Sequence, residues 1–157
     1  MRYLIVFSLI ATLAASSGNP LGPFAGGRLG AAEADTPYAD WEALATVDTV
    51  FIETRPADPY SVQTWVISVD DTMYVPTSLI MGDSAPERQW VKNILNDAAV
   101  RVQVNDLVYP MRAERVEASE LQQRVLQAFQ QKYASELPEI DEHAKNAWIF
   151  RMAARAG

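Results

Sequence analysis

The sequence predicts an α+β fold class, mainly β, in which six short strands and two helices follow one another in the order β-β-β-α-β-β-α-β. The first indication is a series of short runs rich in β-branched and aromatic residues. The second is a pair of longer segments in which apolar residues recur at helical spacing. The third is size, because 157 residues with 49% apolar composition can bury one core. Leaving six strands as open edges is unfavourable in so small a domain. Closure into a barrel is therefore favoured over the alternative, a single antiparallel sheet with helices on one face.

The first three strands are predicted from residue type. Thr49–Thr54 (TVFIET) and residues 61–69 (SVQTWVISV) are both rich in residues that favour strands. Asp70 and Asp71 then form a tight turn that leads into residues 72–77 (TMYVPT). Together the three segments indicate a β-meander.

The segment 86–96 is predicted as the first helix. Ser84 stands three residues before Glu87, which is the spacing of a capping box, and a proline occupies the first turn. We expect one face of this helix to be apolar, because four residues at helical spacing share it. They are Trp90, Val91, Ile94 and Leu95.

A β-hairpin is predicted after the first helix. Valines alternate with polar residues from position 100 to position 104, which indicates a strand with one buried face. Asn105 and Asp106 turn the chain, and residues 107–116 return as the partner strand. Pro110 within the return strand indicates an edge or a bulge, since proline lacks the N–H that a central strand needs.

The longest helix is predicted to begin at Ser119, with Gln122 in a second capping box and Pro138 marking its end. A final apolar run, residues 147–152 (AWIFRM), predicts the closing strand. The apolar stripe of the helix recurs every three or four residues. It consists of Leu121, Val125, Ala128, Phe129 and Tyr133.

The N-terminus has the layout of a secretory signal: Arg2, then a short apolar run, then small residues around Ser16. The apolar run is shorter than the roughly 20 residues that a bilayer-spanning helix needs, and an uncut anchor is the alternative. We therefore expect residues 1–17 to be a signal peptide, residues 18–40 a Gly/Pro/Ala-rich linker, and residues 41–157 the folded domain. The expected location is periplasmic or secreted, with membrane contact only through an uncut N-terminus.

Charge and composition exclude several classes of function. The formal net charge of -7 argues against nucleic acid as a partner. The sequence has no cysteine, which excludes disulfides and thiolate chemistry, and a single histidine, His143, excludes a multi-histidine metal centre. No spacing typical of metal ligands occurs, so no metal site is predicted.

The residue pattern supports ligand binding better than side-chain catalysis. A Ser-His-Asp site would need His143, which lies in a polar stretch, and no serine occupies a strand-to-helix elbow. The adjacent acids Asp70 and Asp71 lie in a turn, where carboxylates usually face water. By contrast, Arg88 and Lys92 lie near a helix start and strand-end hydroxyls, a combination that holds phosphate. A solvated helix face is the alternative interpretation of these two charges.

One motif runs through residues 47–133 and combines strands with both helices. A pair of strands ends in YVPTS, a helix then carries Trp90 three residues before Asn93, and a short polar link leads into the strand VRVQV. The second helix ends in the pair Lys132-Tyr133. This pattern resembles the flavin- and deazaflavin-binding split barrels, the pyridoxamine-phosphate-oxidase-like families, and especially the deazaflavin-dependent nitroreductase branch. In that branch, as here, a tryptophan replaces the phosphate-binding lysine of the oxidase branch.

The resemblance implies a split barrel that binds flavin mononucleotide (FMN) or a deazaflavin and acts as an oxidoreductase by cofactor hydride transfer. It also implies a homodimer with the ligand between subunits. The alternatives are a split barrel without a cofactor that binds another small ligand, and a dimeric interaction module of the envelope. The residues that the resemblance assigns to the cofactor are Thr64, Thr77, Ser78, Arg88, Trp90, Lys92 and Asn93.

Overall fold

The computed structural model describes residues 18–79, 84–137, 144 and 146–155. Within these ranges the chain forms short strands, which make up one mainly antiparallel sheet, and three α-helices. The strands are β1 Ala32–Glu33, β2 Thr49–Thr54, β3 Tyr60–Trp65, β4 Ile67–Ser68, β5 Met73–Pro76, β6 Ala99–Val104, β7 Leu107–Arg115 and β8 Ile149–Ala154. The helices are α1 Trp41–Leu44, α2 Gln89–Asn96 and α3 Ser119–Lys132, and a 3₁₀ turn at Ala85–Glu87 precedes α2.

The sheet closes on itself through one bent segment of chain. Its strands follow the order β3-β2-β6-β7-β8-β5-β4, and all neighbours in this order are antiparallel. The two ends of this order, β3 and β4, are separated in the chain by Val66 alone. The segment 60–68 therefore pairs with β2 through its first part and with β5 through its second part. The result is a mainly antiparallel half-barrel with a few helices, which is the fold class that the sequence predicts.

The predicted count of six strands is wrong for the described residues, which form eight. One addition is β1, which pairs in parallel with β7. The other arises because the predicted strand 61–69 is broken at Val66. A bend is needed at this position, because the chain passes there from one sheet edge to the other.

The first predicted helix is also divided. Residues 85–87 form a 3₁₀ turn, and Arg88 is extended (φ −66°, ψ 132°) before α2 begins. Neither predicted capping box forms, because Ser84 makes no side-chain cap and α3 starts after Ala118 without one. Gln122 instead donates its side-chain N–H to the carbonyl of Ala147 at 3.4 Å, so it fastens α3 to the approach of β8. Pro138, the predicted end of the helix, lies outside the described residues.

Side chains from β2, β5, β6, β7 and β8 and from α2 fill the interior of the barrel. The alternation predicted for β6 is borne out, because its three valines are at most 4% exposed. α2 packs on this core through Trp90, Val91 and Ile94, whereas Leu95, predicted for the same face, is 60% exposed. The buried side chains of this core include Ile52, Met73, Trp90, Met111, Phe150 and Met152.

A second apolar cluster lies between α3 and the outer face of the sheet. Phe129 and Val125 on α3 are fully buried there, as the predicted stripe requires. Ile149 packs into this cluster while Phe150 packs into the barrel, so the start of β8 is apolar on both faces. β8 therefore lies between the two cores.

The N-terminal strap, residues 18–30, lies along the barrel. Gly26 exchanges two main-chain hydrogen bonds of 2.9 Å with Ser61 at the start of β3. Leu29 is 2% exposed, and beyond the strap β1 pairs with β7. Residues 18–40 thus add main-chain pairs and buried side chains to the fold, and their predicted role as a linker stays a prediction. Within the described part of the chain, no helix has the length and apolar character to cross a bilayer.

Candidate functional site

A cavity of about 410 Å³ opens where the closing segment of the barrel meets α2 and the strap. One wall is the end of β3, and another is the end of β5 with the residues that follow it. The start of α2 and a turn of the strap form the remaining sides. The lining residues are Gly22, Pro23, Thr49, Gln63, Thr64, Trp65, Pro76, Thr77, Ser78, Leu79, Arg88 and Trp90.

Hydroxyl groups at this cavity are held by contacts between strand ends. Thr64 donates its hydroxyl to the carbonyl of Pro76 at 3.1 Å, which joins β3 to β5. Thr77 is 2% exposed and accepts the N–H of Trp148 on its hydroxyl oxygen at 2.9 Å. Its own N–H bonds the carbonyl of Trp148 at 2.8 Å. Both hydroxyls are therefore fixed by main-chain partners, and both threonines are lining residues of the cavity.

Arg88 supplies positive charge at the same place. The residue is half-buried and directly precedes α2, whose N-terminus lacks a side-chain cap. The positive end of a helix dipole and N–H groups without helical partners thus lie next to Arg88 in the chain. Lys92, one turn later, is exposed and is not part of the lining, although its N–H bonds the carbonyl of Arg88 at 3.1 Å.

Trp90 and Asn93 lie on the inner side of α2. Trp90 is 5% exposed and contacts Phe150 in the barrel with ring centroids 5.5 Å apart, so its position is fixed by the core. Asn93 is also buried, donates to the hydroxyl of Thr54 at 2.8 Å and accepts from Gln89 at 2.9 Å. Its amide joins α2 to β2 and does not line the cavity.

Five of the seven predicted residues therefore lie together in the lining, and Lys92 and Asn93 do not. The prediction lacks Trp65, Gln63 and Thr49. Their signal is the sheet register, since Thr49 is paired with Trp65 and Gln63 is two positions before Trp65 on the same face. Gln63 donates to the hydroxyl of Thr49 at 2.8 Å, which completes a polar edge beside the indole.

The end of α3 holds the Trp65 wall in place. The ring of Tyr133 stacks on the indole of Trp65, with centroids 4.4 Å apart and an interplanar angle of 7°. The Tyr133 hydroxyl accepts the N–H of Val66 at 3.1 Å and lies 2.9 Å from the carbonyl of the same residue. It also lies 2.7 Å from the carbonyl of Asp48. Burial raises the pKa of Tyr133 from 10.0 to about 12, so this hydroxyl keeps its proton further into the alkaline range.

Lys132 is bound beside Tyr133 in a cage of carbonyl oxygens. Its ammonium donates to Leu44 at 3.1 Å, to Val47 at 2.6 Å and to Val66 at 2.9 Å. Three acceptors match the three donors of an ammonium group. Burial lowers the pKa of Lys132, and the nearby Asp48 opposes that shift. The Lys132-Tyr133 pair of the sequence motif is thus an anchor for the bend at Val66.

The lining is made of polar and aromatic groups. It combines one guanidinium, several hydroxyls and two indoles, and it contains no carboxylate among the described residues. Guanidinium and hydroxyl donors suit an anionic group such as a phosphate, and indoles suit a planar ring. Among the residues that the structure describes, no group of three or more histidines and carboxylates could hold a metal ion.

Comparison with solved structures shows which fold this is. The conserved hypothetical protein Rv2991 from Mycobacterium tuberculosis superposes with a TM-score of 0.58 at 19% identity, over 80% of this chain and 86% of that chain. An F420 reductase superposes with a TM-score of 0.52 at 16% identity, over 77% of this chain and 97% of that chain.

A protein from Listeria innocua assigned as a pyridoxamine 5′-phosphate oxidase superposes with a TM-score of 0.54 at 10% identity, over 73% of this chain and 90% of that chain. No protein-family model and no curated protein matches the sequence. At these identities the likeness concerns the fold. The chain has the split-barrel fold of the pyridoxamine-phosphate-oxidase-like proteins, and the resemblance seen in the sequence is confirmed at that level.

Proposed function

We propose that this protein binds FMN or a deazaflavin in the cavity beside α2 and acts as an oxidoreductase. The observation that carries the proposal is the convergence of Arg88, the hydroxyls of Thr64 and Thr77, and the indole of Trp65 around one cavity of about 410 Å³. That volume falls in the range of about 300–1,000 Å³ typical of small-molecule sites. The F420 reductase with the same fold supports this class of cofactor.

The residues present fit such a cofactor. A phosphate would be held at Arg88, Thr77 and Ser78, where a guanidinium, hydroxyls and the start of α2 meet. The ring would lie toward Thr64 and the two indoles. A bound flavin or deazaflavin supplies hydride transfer. The lining of the protein then binds and orients ligands and keeps water from the ring, because it has no carboxylate in the described residues to move a proton.

Titration of the purified protein with FMN, followed by quenching of flavin fluorescence, tests the proposal. Arg88→Ala is expected to weaken binding by about 1–3 kcal/mol, because it removes a charged hydrogen-bond donor to phosphate. Lys92→Ala is expected to change affinity less, since Lys92 is exposed outside the lining. Arg112→Ala, an exposed arginine on β7, is the matched control. Unchanged affinity in Arg88→Ala would move the phosphate site elsewhere.

A non-catalytic interaction module on the same barrel is a second candidate. Leu21 and Phe24 flank the strap turn at the cavity and are 78% and 73% exposed, which is unusual for adjacent large apolar side chains. A homodimer that covers them is the arrangement we propose for either function. Light scattering of the mature domain and of Leu21→Ser/Phe24→Ser tests it. A wild-type monomer at high micromolar concentration would contradict the homodimer. A bound yellow chromophore in protein from its native compartment favours the cofactor-binding candidate.

Export is also a proposal, supported by the signal-like layout of residues 1–17. Sequencing the N-terminus of protein isolated from its source distinguishes the two expected forms. A mature chain that starts near residue 17 or 18 supports a cleaved signal in a periplasmic or secreted protein. An intact Met1 in the membrane fraction supports an uncut anchor, and an intact Met1 in the cytosol would contradict export.

A further inference from the structure

We propose that Trp65 is the platform on which the planar ring of the bound ligand stacks, and that Tyr133 and Lys132 are positioning residues for it. This inference rests on the proposed function and assigns the ring-binding face of that same cavity. Trp65 is half-buried and lines the cavity, whereas Tyr133 and Lys132 do not. The three residues come from two distant parts of the chain, which meet at the bend between β3 and β4.

The indole of Trp65 is held in one orientation. One face is covered by the ring of Tyr133 at 4.4 Å and 7°, a nearly parallel stack. Tyr133 itself packs against Phe129, with ring centroids 6.1 Å apart and an angle of 24°. The stack therefore runs from the buried cluster under α3 to Trp65, which lines the cavity. A planar ligand that enters the cavity extends this stack by one more ring.

The backbone beside the indole is fixed as well. Val66 directly follows Trp65, and its N–H and carbonyl are both bound by the hydroxyl of Tyr133. The ammonium of Lys132 donates to the same carbonyl at 2.9 Å. On the other side, Trp65 is paired with Thr49 in the sheet. Neither the main chain nor the ring of Trp65 needs to be ordered when a ligand binds.

This order has a consequence for affinity. Binding usually loses free energy because flexible side chains at the site must be immobilised, and a pre-organised platform avoids that loss. Aromatic stacking is also indifferent to hydrogen-bonding groups on the ligand, so the platform selects for a flat ring system. Arg88, at the α2 side of the cavity, then selects for an anionic tail. The two selections act on different parts of one ligand and can be measured separately.

Riboflavin and FMN are the probes that separate them, because they share the ring and differ by the phosphate. Trp65→Ala is expected to weaken both ligands by about tenfold or more, the usual loss when a stacking aromatic is removed. Trp65→Phe keeps an aromatic face and is expected to stay within about threefold of the wild type for both. Arg88→Ala is expected to weaken FMN and leave riboflavin unchanged. Trp41→Phe, whose ring packs edge-on against Tyr38 away from the cavity, is the matched control.

The positioning role is tested with the visible circular dichroism of the bound flavin, which reports how the ring is held. Tyr133→Leu removes the stack and the hydroxyl, and it is expected to diminish this signal even at saturating ligand. Tyr133→Phe keeps the stack and loses the hydroxyl bonds, so an intermediate signal is expected. A loss of stability alone would lower the unfolding midpoint and leave the dichroism of the saturated complex unchanged.

Each outcome decides between the two proposals. Equal binding of both ligands by Trp65→Ala and the wild type would overturn the platform and leave the flavin proposal intact. Failure of the wild-type protein to bind either ligand would overturn both. Should Trp65→Ala not fold, Trp65→Leu keeps apolar bulk without an aromatic face, and affinities equal to those of Trp65→Phe would then overturn the platform.

Discussion

The two ends of β3 are fastened to the rest of the molecule by different kinds of contact. At its start, Ser61 is paired with Gly26 of the strap through main-chain hydrogen bonds. At its end, Trp65 and Val66 are held by the side chains of Tyr133 and Lys132. The hydrogen bonds at the start use no side-chain atoms, whereas the contacts at the end are made by particular side chains. Only the second end therefore leaves a recognisable motif in the sequence.

The start of β3 also adjoins a buried charge. Glu53 is the cross-strand partner of Ser61 and is 1% exposed. One of its oxygens accepts the N–H of Leu29 at 2.8 Å and the guanidinium of Arg101 at 2.7 Å. Glu53 Oε1 and the hydroxyl of Ser61 have no hydrogen-bond partner within the described ranges. The strap thus covers a group of ion pairs in which Arg101 on β6 joins Glu53 on β2 to Glu33 on β1. The guanidinium of the exposed Arg28 lies 3.7 Å from Glu53 Oε1.

Removing the carboxylate of Glu53 is expected to give the largest loss of stability at the start of β3. Glu53→Ala leaves Arg101 with the more exposed Glu33 as its carboxylate partner and leaves the N–H of Leu29 without its acceptor. We expect the free energy of unfolding to fall by about 3–5 kcal/mol, the usual loss when a buried pair is broken. Urea unfolding of the purified variant measures it.

The matched control is Glu114→Ala, which removes a carboxylate from a half-exposed pair with Arg151 on β8. Its expected effect is about 0–1 kcal/mol. Similar losses in the two variants would mean that burial under the strap adds nothing to the Glu53 pair.

Gly26→Ala is expected to disrupt the contact at the start of β3 by a steric clash rather than by the loss of a charge. A Cβ at this position would lie 2.4 Å from the carbonyl oxygen of Gly18 and 2.6 Å from the nitrogen of Pro20, both main-chain atoms. We expect a loss of about 3 kcal/mol, at the upper end of the effects of overpacking. We also expect faster proteolytic cleavage in the strap, measured by limited digestion.

Gly30→Ala serves as its control, since a Cβ there meets no atom within 4 Å. Equal cleavage of both variants would show that the contact between Gly26 and the start of the strap does not hold the strap on the barrel.

Tyr133→Phe is the corresponding test of the other end. It keeps the stack on Trp65 but leaves the buried N–H of Val66 without its acceptor. We expect a loss of about 2 kcal/mol, within the range for leaving a buried donor unpaired. Tyr60→Phe, on a half-buried tyrosine at the start of the same strand, is the control and is expected to have a smaller effect. If Tyr133→Phe left the free energy of unfolding unchanged, Lys132 alone would be sufficient to hold the bend.

Alkaline pH extends the comparison to the protonation of buried tyrosines. Burial raises the pKa of Tyr133 from 10.0 to about 12, and burial followed by the nearby Asp40 does the same for Tyr38. The unfolded chain therefore loses these protons first, and stability that is full below pH 10 declines as the pH rises to 12. Lys132 acts in the opposite direction, because its lowered pKa makes stability rise with pH below 10.5.

Urea midpoints between pH 9 and pH 12 measure this dependence, and Tyr133→Phe is expected to make the decline shallower. Lys132 is present in both proteins, so the difference between them isolates Tyr133. An identical slope in the two proteins would contradict the role given to its buried hydroxyl.

Much of the fold could be predicted because it is encoded locally. The valines of β6 alternate because one face of that strand is buried, and the apolar stripe of α3 recurs because one face of that helix packs on the sheet. The break at Val66 could not be predicted from residue type. Valine favours strands, and the residues that bend the chain there are about 66 positions away at Lys132 and Tyr133.

The lining residues that belong to the sequence motif could be predicted. Those that strand pairing brings to the cavity could not. Thr77, Ser78 and Trp90 belong to the motif shared with split barrels, and all three line the cavity. Trp65 enters the lining through its pairing with Thr49, which no single segment reveals. Glycine and proline in residues 18–30 predict a linker from composition, and composition carries no signal for the main-chain bonds between Gly26 and Ser61.

The bend at Val66 also depends on groups that are synthesised long after it. The segment 60–68 supplies both margins of the sheet, yet the groups that fix its corner are made by the ribosome some 67 positions later. Contacts of such long sequence separation slow folding, because a large loop must close before they form. Until α3 and then β8 emerge, the newly made chain carries an incomplete sheet whose unpaired strand edges are exposed to neighbouring molecules.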